Sequence, residues 1–315
     1  MSMTKKFIVS AIAALSFAPM AKAADAIVAA EPEPMDYVKV CDAYGDGYFY
    51  IPGTETCMSI SGYFQYQSAY GFKKRDYVDN FRSQIDLDTK NESEYGTVYS
   101  RIRVRGDSSN NSRLQGTTIG YMGIGGLELG LYTRQWSTFL FGGGTTVQDG
   151  TYGDGENQYV SYTANLGGGT RILGAIDWIQ PNKAGYVLAA RTRVSNWMFG
   201  GGYAYDSASL ASNVKLFARV KADAVTAQLI AFYSSKANLY NNNRYKGFSV
   251  LGAVRFAATE QIDLNATAQW MEGAGYFLAG NITWNVAPGF ETLAEVAYTS
   301  RNKTTTGLLR VRRSF

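Results

Sequence analysis

The sequence predicts an all-β fold, a transmembrane antiparallel β-barrel of about sixteen strands. Three observations lead there. From Met58 onward apolar and polar residues alternate, and turn chemistry interrupts them roughly every 8–12 residues. The alternating runs are about 10–13 residues long, which suits tilted membrane strands of ~9–11 residues and exceeds the usual ~5–6. The chain also opens with an export signal, and no later window is long and apolar enough for a membrane helix. Only helices and closed barrels satisfy every backbone group in lipid, so a membrane protein of this kind must be a barrel.

The elements follow in order. Lys5 and Lys6 precede an apolar run from Phe7 to about Met20, and Ala21-Lys22-Ala23 supplies small residues for cleavage. This is the pattern of a secretory signal peptide, expected to span residues 1–23. Removing it leaves 30 − 3 = 27 basic residues against 26 acidic, a net charge of +1. A near-neutral mature chain gives no support to nucleic-acid binding. Residues 24–56 form an N-terminal segment, with an extended Glu31-Pro32-Glu33-Pro34 spacer and turns over Asp42-Ala43-Tyr44-Gly45-Asp46-Gly47. Cys41 and Cys57 would meet an oxidising compartment after export, where pairing is the default; the alternative is two free thiols.

The barrel itself is expected over residues 57–315, with strands near 58–70, 79–89, 97–106, 115–124, 127–136, 157–166, 170–180, 186–194, 197–206, 213–222, 224–234, 247–257, 261–271, 276–287, 289–300 and 305–315. Each has an oily and a wet side, because successive side chains point to opposite faces. Met58, Ile60, Phe64 and Tyr66 thus oppose Ser59, Ser61, Gln65 and Gln67. Val214, Leu216, Ala218 and Val220 oppose Lys215, Phe217, Arg219 and Lys221. Tight turns at Gly125-Gly126, Gly167-Gly168-Gly169, Ser195-Asn196, Ala222-Asp223 and Ala287-Pro288-Gly289 alternate with longer connections at 71–78, 107–114, 137–156, 207–212 and 235–246. Short periplasmic turns and longer outside loops have that rhythm in outer-membrane barrels. Aromatics at strand ends (Tyr70, Trp136, Trp178, Trp197, Tyr205, Tyr233, Trp270 and Tyr298) fit the interfacial girdles.

Composition narrows the function classes. The chain has no His, which removes Ser-His-Asp and Cys-His nucleophile systems and the commonest zinc ligand sets. No enzyme activity, cofactor or metal is expected. Gly123-Ile124-Gly125-Gly126 lies between strands with no helix after it, so it is not a dinucleotide fingerprint. Asp149 to Glu156 lacks the ligand spacing of a calcium loop. Asp86 and Asp88 on an open wet wall lack the environment that separates the pKa values of an acid/base pair.

Cys41-Asp42-Ala43-Tyr44-Gly45, then Tyr48-Phe49-Tyr50-Ile51-Pro52-Gly53-Thr54-Glu55-Thr56-Cys57 and Ile60-Ser61-Gly62-Tyr63, resembles the general porins of the alphaproteobacterial outer membrane. Glu31-Pro32-Glu33-Pro34, Tyr37-Val38-Lys39-Val40 and the terminal Arg312-Arg313-Ser314-Phe315 fit the same family. The resemblance implies a sixteen-stranded barrel, a homotrimer, passive diffusion of small hydrophilic solutes, and a third external loop folded into the lumen. Its partners would be outer-membrane lipid, lipopolysaccharide and those solutes. The candidate third loop, 137–156, is shorter, more Gly-rich and less charged than the family pattern, which implies a wider opening.

Arg101, Arg103 and Arg105 share the wet face of one strand. If the hairpin turns near Ser93-Glu94, Arg82 stands opposite Arg105 and Asp86 opposite Arg101, giving a basic ladder on the inner wall. Asp149, Asp154 and Glu156 on the infolded loop would face it, and opposed charges across a narrow gap would orient dipolar solutes. These seven residues are the expected pore constriction. Competing readings are a channel specific for a sugar or an anion, and a structural or adhesive barrel with a plugged interior. About sixteen strands enclose more space than side chains fill, which disfavours the plug.

Overall fold

The computed structural model describes residues 39–109, 115–150, 155–241 and 246–315. The signal-peptide segment 1–23, the proline-containing spacer and Asp154 lie outside the described residues.

A two-residue strand, β1 (Phe49–Tyr50), precedes the barrel. The first half of the barrel is β2 (Cys57–Gly71), β3 (Asp76–Asn91), β4 (Val98–Ser109), β5 (Gln115–Ile124), β6 (Leu127–Thr133), β7 (Glu156–Gly167), β8 (Thr170–Gln180) and β9 (Lys183–Val194). The second half is β10 (Trp197–Asp206), β11 (Ala211–Ala222), β12 (Val225–Ser234), β13 (Gly247–Ala257), β14 (Ile262–Met271), β15 (Gly275–Ala287), β16 (Phe290–Thr299) and β17 (Thr304–Ser314). Every consecutive pair from β2 to β17 is antiparallel, and β17 pairs back onto β2, so the sheet closes on itself. All sixteen expected barrel strands are present.

Closure is completed by the chain end. Phe315 and Gly62 exchange backbone hydrogen bonds, at 3.0 Å each way. A side chain on Gly62 would run into the Gln84 carbonyl and the Phe315 ring, so this close approach requires glycine. Beyond the point where β17 stops, β1 takes over the free edge of β2 at Cys57 and Met58. The Cys41–Cys57 disulfide ties the N-terminal segment to the first barrel strand.

The outside of the barrel is greasy. Ile60, Phe64, Ile85, Val104, Leu188, Leu216, Leu229, Leu278, Val296 and Leu309 are all exposed, while Gln65, Gln84, Asp86, Asp88, Asn213 and Glu295 are buried. That is the reverse of a soluble protein and the arrangement expected where the outer face meets acyl chains. Trp178, Trp197, Tyr233 and Trp270 lie on this outer face as expected. Trp136 does not. It is fully buried in a short helix, α1 (Gln135–Leu140), where the sequence suggested the end of a strand at 127–136. β6 stops at Thr133 because the next residues carry helical spacing of large apolar groups, Trp136, Phe139 and Leu140.

Candidate functional site: the pore lumen and its inner loop

The described part of the connection from β6 to β7, residues 134–150, carries α1 and lies inside the barrel against the β8–β16 wall. Its seat is an apolar sector of the lumen. Trp136, Phe139 and Leu140 pack with Leu173, Val187, Ala204, Phe217, Ile230, Phe232 and Leu251, all buried. The wall makes room for them: a Cβ at Gly202 would collide with Leu140. The inner face of the barrel is therefore wet on one side and dry under the loop. A strand reading assigns all inward positions of β11 to water; Phe217 belongs instead to this dry patch.

Polar groups fix the loop at both ends. Arg134, buried at its start, donates to Asn157 Oδ1 at 2.6 Å and to the Leu239 carbonyl at 2.8 Å. Lys215, with no exposure at all, donates to the Phe141 carbonyl at 3.1 Å and sits 4.7 Å from the Trp136 ring centroid. Ammonium groups satisfy carbonyls that a helix end leaves open. Further along, the Thr145 N–H donates to Thr267 Oγ1 at 3.0 Å. The tip ends on Glu295, a buried carboxylate of β16. It accepts the Val147 N–H at 2.7 Å, the Gln148 N–H at 2.9 Å and the Asn281 amide at 2.9 Å.

A second connection, between β12 and β13, also turns inward. Tyr240 is fully buried, lies 5.6 Å from the Trp136 ring, and donates to Asp177 Oδ2 at 2.8 Å. Burial, together with the Asp177 charge, holds its phenol well above the ordinary value. Neither Glu295 nor Tyr240 stood out in the sequence. The first is one of several inward carboxylates, and the second sits in a run of asparagines that reads as an exposed loop.

The four arginines expected at the constriction all lie on the opposite, wet wall, but their partners differ from the expected ones. The β3–β4 hairpin turns over residues 92–97, where Ser93 and Gly96 exchange backbone hydrogen bonds and Gly96 takes a φ of +104°. The ladder is consequently shifted by two residues: Arg82 opposes Asp107, Asp86 opposes Arg103, and Asp88 opposes Arg101. Arg82 does not face Arg105, and the wall is not a basic ladder. Arg101 grips Asp88 with two bonds of 2.6 and 2.9 Å, and Arg103 grips Asp86 with two of 2.7 and 2.8 Å. Arg82 meets Asp107 at 2.5 Å, and Arg105 meets Glu156 at 3.4 Å. Four cations and four anions make 4 − 4 = 0, so the patch is an alternating ion-pair array without net charge.

The expected acids also separate. Glu156 is the first residue of β7 and is bonded to Arg105, so it does not face the arginines from the loop. Asp149 is in the loop, its carbonyl accepting the Gly144 N–H at 2.8 Å and its carboxylate lying against the Gly143 backbone. Between α1 and the β4–β9 wall is a cavity of about 810 Å³, lined by Arg101, Tyr121, Glu128, Tyr159, Arg171 and Arg191 among others.

The chain matches the porin subfamily over residues 25–313. It belongs to the porin family. Its relatives include Porin Omp2b of Brucella neotomae and of Brucella suis biovar 1, each 32% identical and covering 94% of this chain and 92% of the relative. A solved structure of a triple mutant of the Rhodopseudomonas blastica porin superposes with a TM-score of 0.62 at 14% identity, covering 82% of this chain and all of that one. At that identity the likeness speaks for the fold, and the fold agrees: a closed sixteen-strand antiparallel barrel. This porin is accordingly an outer-membrane, multi-pass β-barrel channel protein. Its lumen holds what a channel needs, a polar wall on one side and an inner loop pinned to the other.

Proposed function

We propose that this porin forms a water-filled channel for passive diffusion of small hydrophilic solutes and ions, narrowed between the inner loop and the wall bearing Arg82, Arg101, Arg103 and Arg105. The observation that carries the reading is the loop's attachment: α1 and the Glu295-held tip press the loop onto the dry sector, leaving the ion-paired wall to face the remaining opening. Paired charges on adjacent strands give strong local fields but little net bias, which suits weak selectivity. Asp149 and Asp154 of the loop would form the other rim of the opening, with Glu156 joined to the wall through Arg105.

Cleavage after Ala23, assembly as a homotrimer and contact with lipopolysaccharide complete the proposal. The resemblance in the N-terminal segment and the family membership support them.

Planar-bilayer recording tests the channel directly. Purified protein should give stepwise conductance increments, and silence at every voltage would refute the reading. Replacing Arg101 and Arg103 by Gln strands Asp86 and Asp88 without counter-charges. The reversal potential in a salt gradient should then move toward cation preference, and an unchanged potential would remove these residues from the constriction.

A further inference from the structure

A group of inward cations without acidic partners lies on the other wall. Among the described residues, Arg171 on β8, Arg191 and Arg193 on β9, and Arg219 and Lys221 on β11 have no carboxylate within ion-pair distance. All five side chains are on the inward-facing set: they continue the alternation of Leu173, Ala189 and Phe217, which pack beneath α1. They gather at the end of the barrel that carries the tight turns 168–169, 195–196 and 223–224, the periplasmic end by turn length.

Two features set this group apart from ordinary lumen charge. Arg171 and Arg191 are direct cross-strand partners. Like charges at that position repel, and their other cross-strand neighbours, Asn165 and Gly200, carry no charge to offset them. Natural sequences keep such a local conflict where a function needs it. Secondly, the inner loop holds two of the guanidiniums without neutralising them. Arg191 lies 4.5 Å from the Phe139 ring centroid and donates to the Phe139 carbonyl at 3.1 Å, and Arg219 lies 4.9 Å from the Phe141 ring. A ring face fixes the position of a cation and leaves its charge in place.

The adjoining cavity of about 810 Å³ brings Arg171 and Arg191 to the same space as Arg101. Glu128 is the single acid among its described lining residues, and its carboxylate already accepts from Tyr99 at 3.1 Å, from Tyr159 at 2.6 Å and from Gln135. The rings of Tyr121 and Tyr132 close the side toward β5 and β6, 5.0 Å apart. Aromatic walls lower the local dielectric and lengthen the reach of each charge.

We propose that Arg171 and Arg191, assisted by Arg193, Arg219 and Lys221, form an anion subsite beneath the inner loop. There small oxyanion-bearing solutes, carboxylates or phosphates, dwell on their way through the pore. The inference rests on the channel reading and adds the sign and place of its selectivity: anions are favoured by the unpaired cluster rather than by the paired arginines opposite. Guanidinium pairs are suited to this, since their planar forks match the oxygens of both anion classes.

The experiment compares the wild type with Arg171→Gln/Arg191→Gln in planar bilayers. Reversal potential in a KCl gradient and block of chloride current by inorganic phosphate and by citrate are recorded for each. The wild type should prefer chloride and be blocked by both anions, and the double variant should require about tenfold more of either for half block. Conducting channels in the variant show that it is folded, and Arg193→Gln/Lys221→Gln provides a second, milder pair. Equal block by anions in wild type and both variants, with conductance intact, would overturn the subsite while leaving the channel standing. Absence of conductance in the wild type would overturn the channel reading itself.

Discussion

Replacing Glu295 by Gln is the sharpest test of how the inner loop is held. The carboxylate is buried at 2% exposure and is the shared acceptor for two consecutive loop N–H groups and one amide. Hydrogen bonds to a charged group are worth roughly 1.5–3 kcal/mol each, and a buried donor left without a partner costs about 1–3 kcal/mol. Gln keeps the shape and one oxygen, so one of the two N–H groups stays bonded, now to a neutral acceptor, and the other faces an NH2. The net loss is about 3 kcal/mol, which raises the population of a released tip roughly a hundredfold. Only the tip should respond, because α1 remains seated on its apolar patch. Single-channel recording should show brief excursions to higher conductance, and limited proteolysis should cut within 143–150. As a graded control, Thr267→Val removes a neutral acceptor from the Thr145 N–H and should cost about 1 kcal/mol, with a smaller effect. Quiet currents and an uncut loop in Glu295→Gln would show that the carboxylate does not hold the tip.

Trp136→Ala removes the largest fully buried side chain of the inner loop and should destabilise the seating of α1 by about 3–5 kcal/mol. The readout is a noisier, larger conductance with the barrel's resistance to detergent and heat retained, since the strand ladder is untouched. Cys41→Ser with Cys57→Ser opens a loop closed over a sequence separation of 16 residues, worth about 3 kcal/mol to the segment it ties. Protease sensitivity should rise over 41–57 with conductance unchanged; a collapse of conductance would mean that the N-terminal segment supports the pore.

The β3–β4 hairpin shows where reading residues alone stops. Alternation assigns faces, and it placed Arg82, Arg101, Arg103 and Arg105 on the lumen side as the structure does. A two-residue shift of register keeps every side chain on the same face, so alternation is blind to it. Yet that shift replaces the facing arginines by three cross-strand arginine–carboxylate pairs and leaves Arg105 opposite Gln84, free to reach Glu156 on β7. The turn decided it, through the reciprocal Ser93–Gly96 bonds. Trp136 gives the companion lesson. An aromatic near a strand end fits a membrane girdle, but the spacing of Trp136, Phe139 and Leu140 is that of one helical face, and this signal was present in the sequence. Tyr240 and Glu295 left no such trace, because their roles come from contacts with residues 63 and 148 positions away.

The strands, their faces and the greasy exterior follow from the order of residues, because period-two patterning and turn chemistry act over a few neighbours. Which charges neutralise one another, which part of the lumen is dry, and where the inner loop rests were decided only by closure of the barrel. Closure sets residues far apart in sequence within a few ångströms, and at that range a single partner determines whether an arginine is spent on a neighbour or left to act on a passing solute.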